Sequence, residues 1–134
     1  MRFFCISFLF LVSVSAFGQQ QQKQDDEALQ KQLRQDIDKI VENYESSLKL
    51  EDWQVFYLDS ILVHDYNAMT DELKALQEAK VSNVNQYTVT RDKWNEKIYN
   101  AVHKILNEEQ WAKYLKTGAA KEKKLRDKRA AEKK

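Results

Sequence analysis

No proline and only two glycines, Gly18 and Gly118, interrupt the 134 residues of this chain. Hairpins and tight turns draw on those two residue types for their special backbone angles. A chain that lacks them is expected to be helical throughout, and strands can be set aside.

The hydrophobic periodicity agrees. Leu29, Leu33, Ile37, Ile40, Val41, Tyr44 and Leu48 recur at steps of three and four, which predicts a helix over 25–48 with one apolar stripe. Asp25, Asp26 and Glu27 stand where the positive end of that helix's dipole would favour them. A second helix is expected over 52–80, with Val55, Leu62, Met69 and Leu76 seven apart and Leu58, Tyr66 and Leu73 beside them. Its first half carries Trp53, Phe56, Tyr57, Ile61 and Val63 off that seam, so it is apolar nearly all round and needs a cover. Ser82, Asn83 and Asn85 compete with helical hydrogen bonds and mark a break at 81–85. A third helix follows over 86–105, with Tyr87, Trp94 and Ala101 seven apart. A short fourth, over 108–116, is expected to end with Gly118 at C′.

The ends differ from this middle. Arg2, an apolar run over 3–14 and the small residues Ala16 and Gly18 form the pattern of a secretory signal peptide (1–18), with cleavage expected before Gln19. The run is too short to span a bilayer, so no membrane span is expected after cleavage. The single cysteine, Cys5, lies within this segment. The processed chain therefore tolerates an oxidising compartment without relying on disulfides. Residues 19–24 are glutamine-rich and expected to be disordered. Residues 119–134 combine strong helix propensity with one large apolar residue, Leu125, and are expected to form a solvated basic helical tail. Charge is polarised: residues 25–78 hold 14 acidic and 5 basic side chains, residues 116–134 hold 9 basic and 3 acidic. Such a pattern favours contact between unlike ends, within one chain or between two. Glu122, Asp127 and Glu132 interrupt the tail's positive run, so nucleic acid is not an expected partner.

The sequence offers little for catalysis or metal binding. It has no glycine-rich phosphate loop, no GxSxG elbow and no cysteine nucleophile after processing, so no enzyme and no cofactor are expected. His64 and His103 show no ligand spacing, and the adjacent His64 and Asp65 are expected on different helix faces; no metal is expected.

Two segments read alike. Leu50-Glu51-Asp52-Trp53-Gln54 and Leu106-Asn107-Glu108-Glu109-Gln110 each place leucine four residues before glutamine at the start of a helix. In the second, Asn107 can cap the helix while Gln110 reaches back to the N-cap amide, with Leu106 stapled on Trp111. In the first, Leu50 and Val55 form the staple, and Glu51 replaces a good cap. These segments resemble the LTxxQ motifs of the Spy/CpxP family of periplasmic stress proteins, matched at Leu50, Gln54, Leu106 and Gln110, with Glu51 and Asn107 in place of threonine. The resemblance implies an all-α, bent four-helix cradle, an antiparallel homodimer, a Gram-negative periplasmic location and a chaperone or stress-response role. The family includes an ATP-independent chaperone, a sensor-kinase inhibitor and metal-responsive relatives. Trp53, Phe56, Tyr57, Trp94 and Tyr99 are then the candidate surface for unfolded or envelope proteins. The same aromatics suit a core or a dimer interface. Alternatives are a regulator of one envelope partner, such as a sensor, and a purely structural helical protein.

Overall fold

A computed structural model describes residues 15–132, with side chains from Gln20 onward. The apolar run 3–14, the core of the expected signal peptide, lies outside the described residues. The chain divides into two units, 1–32 and 33–134. Among the described residues every regular element is helical, as the missing turn formers require, and no helix is long and apolar enough to cross a membrane.

Helix α1 (Ser15–Leu48) begins in the first unit, ten residues ahead of the start that the apolar stripe suggests. It takes in Gly18 and the glutamine-rich residues 19–24, because Gln, Lys and Ala are good helix formers and no proline stops them. Asp25, Asp26 and Glu27 consequently lie inside the helix, and Leu29 is exposed.

In the second unit, the rest of α1 joins α2 (Asp52–Glu78) and α3 (Val84–Ile105) around one core. Ile37, Val41 and Leu48 of α1, Leu58 and Leu62 of α2, Ile98 and Val102 of α3, and Tyr114 are its buried members. Arg34 bridges α1 to α2 through Asp59 at 2.8 Å. Helices α2 and α3 run antiparallel: Lys97 meets Asp65 at 2.9 Å, and Trp94 donates to Glu72 at 2.7 Å. His64 also reaches Asp65, at 2.7 Å, so the neighbours expected on different faces share a hydrogen bond, with Asp65 buried and His64 exposed.

The turns after α1 and α2 dispense with glycine. Lys49 and Lys80 follow α1 and α2 at φ 53°, in the left-handed region. The Leu50 and Val81 amides donate back to the Glu45 and Leu76 carbonyls, and the Lys80 amide to that of Gln77. These are Schellman closures built on lysine. The break between α2 and α3 falls where serine and asparagine predict it, and Asn83 caps α3 by accepting from the Asn85 amide at 3.0 Å.

The C-terminal region departs from expectation. Helix α4 (Glu108–Tyr114) passes through a wide turn at Leu115–Ala119, with Gly118 at φ 105°, into α5 (Ala120–Ala131). Gly118 breaks the helical backbone at positive φ, as expected of a C′ glycine, and a new helix starts directly after it. The basic tail is helical, but its inner face is held by α3 rather than free in solvent. Arg129 forms two bonds to Asp92 at 2.8 and 2.7 Å, and Arg126 reaches Glu96 at 3.3 Å. Lys123 meets Glu96 at 3.4 Å, and both Lys123 and Arg126 lie over the Tyr99 ring. Nothing in α5 is fully buried, and Arg126 Nη2 is buried with no hydrogen-bond partner.

Two outcomes are expected. Leu58→Ala, which empties a fully buried site, costs about 2–5 kcal/mol in urea unfolding, whereas Phe56→Ala on the exposed side of the same helix changes stability by no more than about 0.5 kcal/mol. Raising NaCl to about 0.5 M screens exposed charges. Amide exchange then rises across α5 and stays unchanged in the cores of α2 and α3. Equal protection of α5 at both salt levels would mean that its ion pairs do not hold it.

Candidate functional site

The two repeated segments meet. Gln54 and Gln110, 56 residues apart in sequence, are both buried, and their side-chain amides pair reciprocally. Gln54 Nε2 donates to Gln110 Oε1 at 2.7 Å, and Gln110 Nε2 donates to Gln54 Oε1 at 2.9 Å. Each Nε2 also donates to the carbonyl just before the other segment's leucine: Gln54 to Ile105 at 2.7 Å, Gln110 to Lys49 at 3.3 Å. Each Oε1 also accepts from its own N-cap amide, Glu51 at 2.9 Å and Asn107 at 3.0 Å. An amide side chain offers two donors and two acceptor positions, and here all are used on both partners. The arrangement is a local pseudo-twofold: the same five-residue signal, used twice, is complementary to itself.

The leucines and their staples support this junction. Leu50, Val55, Leu106 and Trp111 all pack against the core cluster. Asn107 acts as expected, its Oδ1 accepting from the Gln110 amide at 2.9 Å. Glu51 holds the extended N-cap backbone (φ −79°, ψ 157°), and its carboxylate accepts from the Trp53 indole at 2.8 Å. The residue that stands where a better cap is expected thereby holds an aromatic neighbour.

That neighbour begins the exposed cluster. Trp53, Phe56 and Tyr57 retain 50%, 68% and 52% of their accessible surface on the outward side of α2. Their rings meet edge to face, Trp53–Tyr57 at 6.2 Å and Phe56–Tyr57 at 5.6 Å. Close behind them in the sequence, Gln54 and Leu58 point the other way, into the junction and the core, so the rigid side of α2 presents the aromatic side.

The other two candidate aromatics are elsewhere engaged. Trp94 is half-buried between α2 and α3, with its indole on Glu72 and with Lys93 and Lys97 over its ring at 5.1 and 4.7 Å. Hydrogen bonds from Lys93, and then from Trp94, hold the Glu72 carboxyl below the usual range. Tyr99 packs edge-on to Trp111 at 5.0 Å, beneath the basic side chains of α5. Trp111 in turn stacks between His103, at 3.9 Å, and Tyr114, at 5.3 Å, and burial pushes the Tyr114 phenol well above its ordinary pKa. The five candidates therefore divide into an exposed group of three and two that serve packing. A spacing of seven residues places Trp94 on a seam but does not reveal the Glu72 partner that covers it.

Sequence reasoning read Gln110 as part of a capping box and both segments as local helix starts, and missed the pairing of Gln54 with Gln110. The signal that was available is the identity of the two spacings, since two copies of one motif that both need a buried partner can supply it to each other. Compared with protein-family models, with curated proteins and with solved structures, the chain matches none.

Removal of either glutamine leaves the other with buried, unpaired amide atoms. Gln54→Ala and Gln110→Ala are each expected to cost about 2–3 kcal/mol. The double variant should cost less than the sum by about 1–3 kcal/mol, the coupling of direct partners. Neither group is charged, so this coupling should be the same at low and high salt. Strict additivity in urea unfolding would show that the two amides stabilise the fold independently.

Proposed function

We propose that this chain is an exported, ATP-independent holdase of the Spy/CpxP type, which binds unfolded envelope proteins in the periplasm as a bent antiparallel homodimer. The observation that carries the reading is the exposure of Trp53, Phe56 and Tyr57 together, three large aromatics in two turns of one helix. Large contiguous apolar patches on a soluble surface mark interaction sites. Contact of this kind is non-directional and tolerates many sequences, which is what capture of unfolded chains requires. The self-paired motifs beneath the patch fit the same reading: they fix the backbone of α2 so that the aromatic side chains need not pack inward.

The test is suppression of aggregation. The processed chain, mixed without ATP at a stoichiometric ratio with a chemically unfolded client, is expected to suppress light scattering. A Phe56→Ser/Tyr57→Ser variant, shown by circular dichroism to be folded, is expected to lose most of that effect. If the parent fails to suppress scattering at every ratio tried, the holdase reading falls and binding to one dedicated envelope partner takes its place.

A further inference from the structure

The surroundings of the aromatic patch specify what binds there. Trp94 shows, within this chain, a complete arrangement for holding a cation: its indole N–H donates to Glu72 at 2.7 Å, and two lysine side chains lie over the ring. Trp53 repeats the first half of that arrangement. Its indole N–H donates to Glu51 at 2.8 Å, with the carboxylate at the ring's edge and half the residue open to solvent. The second half, a cation over the ring, is not supplied by any of the described residues. From Glu51 to Leu73 the sequence contains Glu51, Asp52, Asp59, Asp65, Asp71 and Glu72 but no lysine or arginine. Of the carboxylates at the N-terminal end of α2, Asp59 is engaged by Arg34, whereas Glu51 and Asp52 form no ion pair among the described residues. Trp53, Phe56 and Tyr57 meet edge to face, and each keeps half or more of its surface open to solvent. Ring faces attract ammonium and guanidinium groups through the negative side of the quadrupole.

We infer that this face selects cationic apolar segments, meaning unfolded polypeptide in which lysine or arginine alternates with hydrophobic residues. A lysine or arginine lies over Trp53 with its charge toward Glu51 and Asp52, while neighbouring apolar side chains cover Phe56 and Tyr57. The inference rests on the holdase reading and narrows its client class. Acidic unfolded segments are disfavoured by the same two carboxylates.

The experiment uses three fluorescein-labelled unstructured peptides of equal length and equal apolar content. Their polar positions are filled with lysine and arginine, with serine and glutamine, or with aspartate and glutamate. Fluorescence anisotropy against the processed chain is expected to show the basic peptide binding about tenfold more tightly than the neutral one at low salt, the combined effect of two exposed charge pairs and a cation–π contact. The acidic peptide binds weakest. The ratio shrinks at about 0.5 M NaCl, where the charge part is screened. In Glu51→Gln/Asp52→Asn the basic-to-neutral ratio falls to about twofold. Asp52→Asn alone, which leaves the N-cap residue and the glutamine junction untouched, gives an intermediate ratio. Equal affinity for basic and neutral peptides overturns the inference and leaves the holdase reading standing. Binding of none of the three overturns the holdase reading, and the inference falls with it.

Discussion

A pair of neutral amides, buried and fully bonded, is the constraint on which the rest of the second unit depends. Gln54 and Gln110 tie the first turn of α2 to the first turn of α4 and hold the carbonyls at the ends of α1 and α3 in the same network. Four helix ends are thereby satisfied at one place. Helix ends carry unpaired backbone groups that are costly to bury, and this fold gathers them instead of dispersing them to the surface. The network has no charge to desolvate, which distinguishes it from a buried ion pair, where desolvation offsets much of the attraction.

From that junction the two sides of α2 acquire different tasks. Its inner side carries Gln54, Leu58, Leu62 and Asp65 into the junction, the core and the contact with α3. Its outer side is then free to hold aromatic residues that stay half or more exposed. A helix apolar on both sides ordinarily requires a second layer, but here one layer suffices within the chain and three rings are left uncovered. Trp53 and Trp94 illustrate the division: both have the indole N–H on a glutamate, yet Trp94 is closed over by lysines and Trp53 is not.

Much of the helical framework is legible in the sequence, because the absence of proline and the scarcity of glycine leave apolar periodicity as the only strong local signal. The start of α4 and the break before α3 follow from cap residues, and the start of α2 follows from the Leu50–Val55 staple. The starts and stops that were missed have specific causes. Residues 19–24 are polar but also good helix formers, so polarity alone misleads about order. Lys49 and Lys80 adopt backbone angles that lysine rarely takes, and no residue pattern announces them. The docking of α5 rests on Arg126 and Arg129 facing Glu96 and Asp92, and an ion-pair seam carries no hydrophobic periodicity. The candidate site was legible as off-seam aromatics at Trp53, Phe56 and Tyr57. What separated them from Trp94 and Tyr99 is tertiary, namely Glu72 across the helix pair and α5 above Tyr99.

The wide turn at Gly118 gives the attachment of α5 a particular thermodynamic character. Individual exposed ion pairs contribute little between separate molecules. Here the turn tethers the basic helix beside its acidic partners, so docking is intramolecular, and short tethers correspond to effective concentrations on the order of millimolar. Bonds too weak to recruit a free peptide therefore suffice to seat this one. Any anionic surface that competes for the inner face of α5 must first match that local concentration, whereas its outward lysines, Lys121 and Lys124, are open to such a surface without that competition.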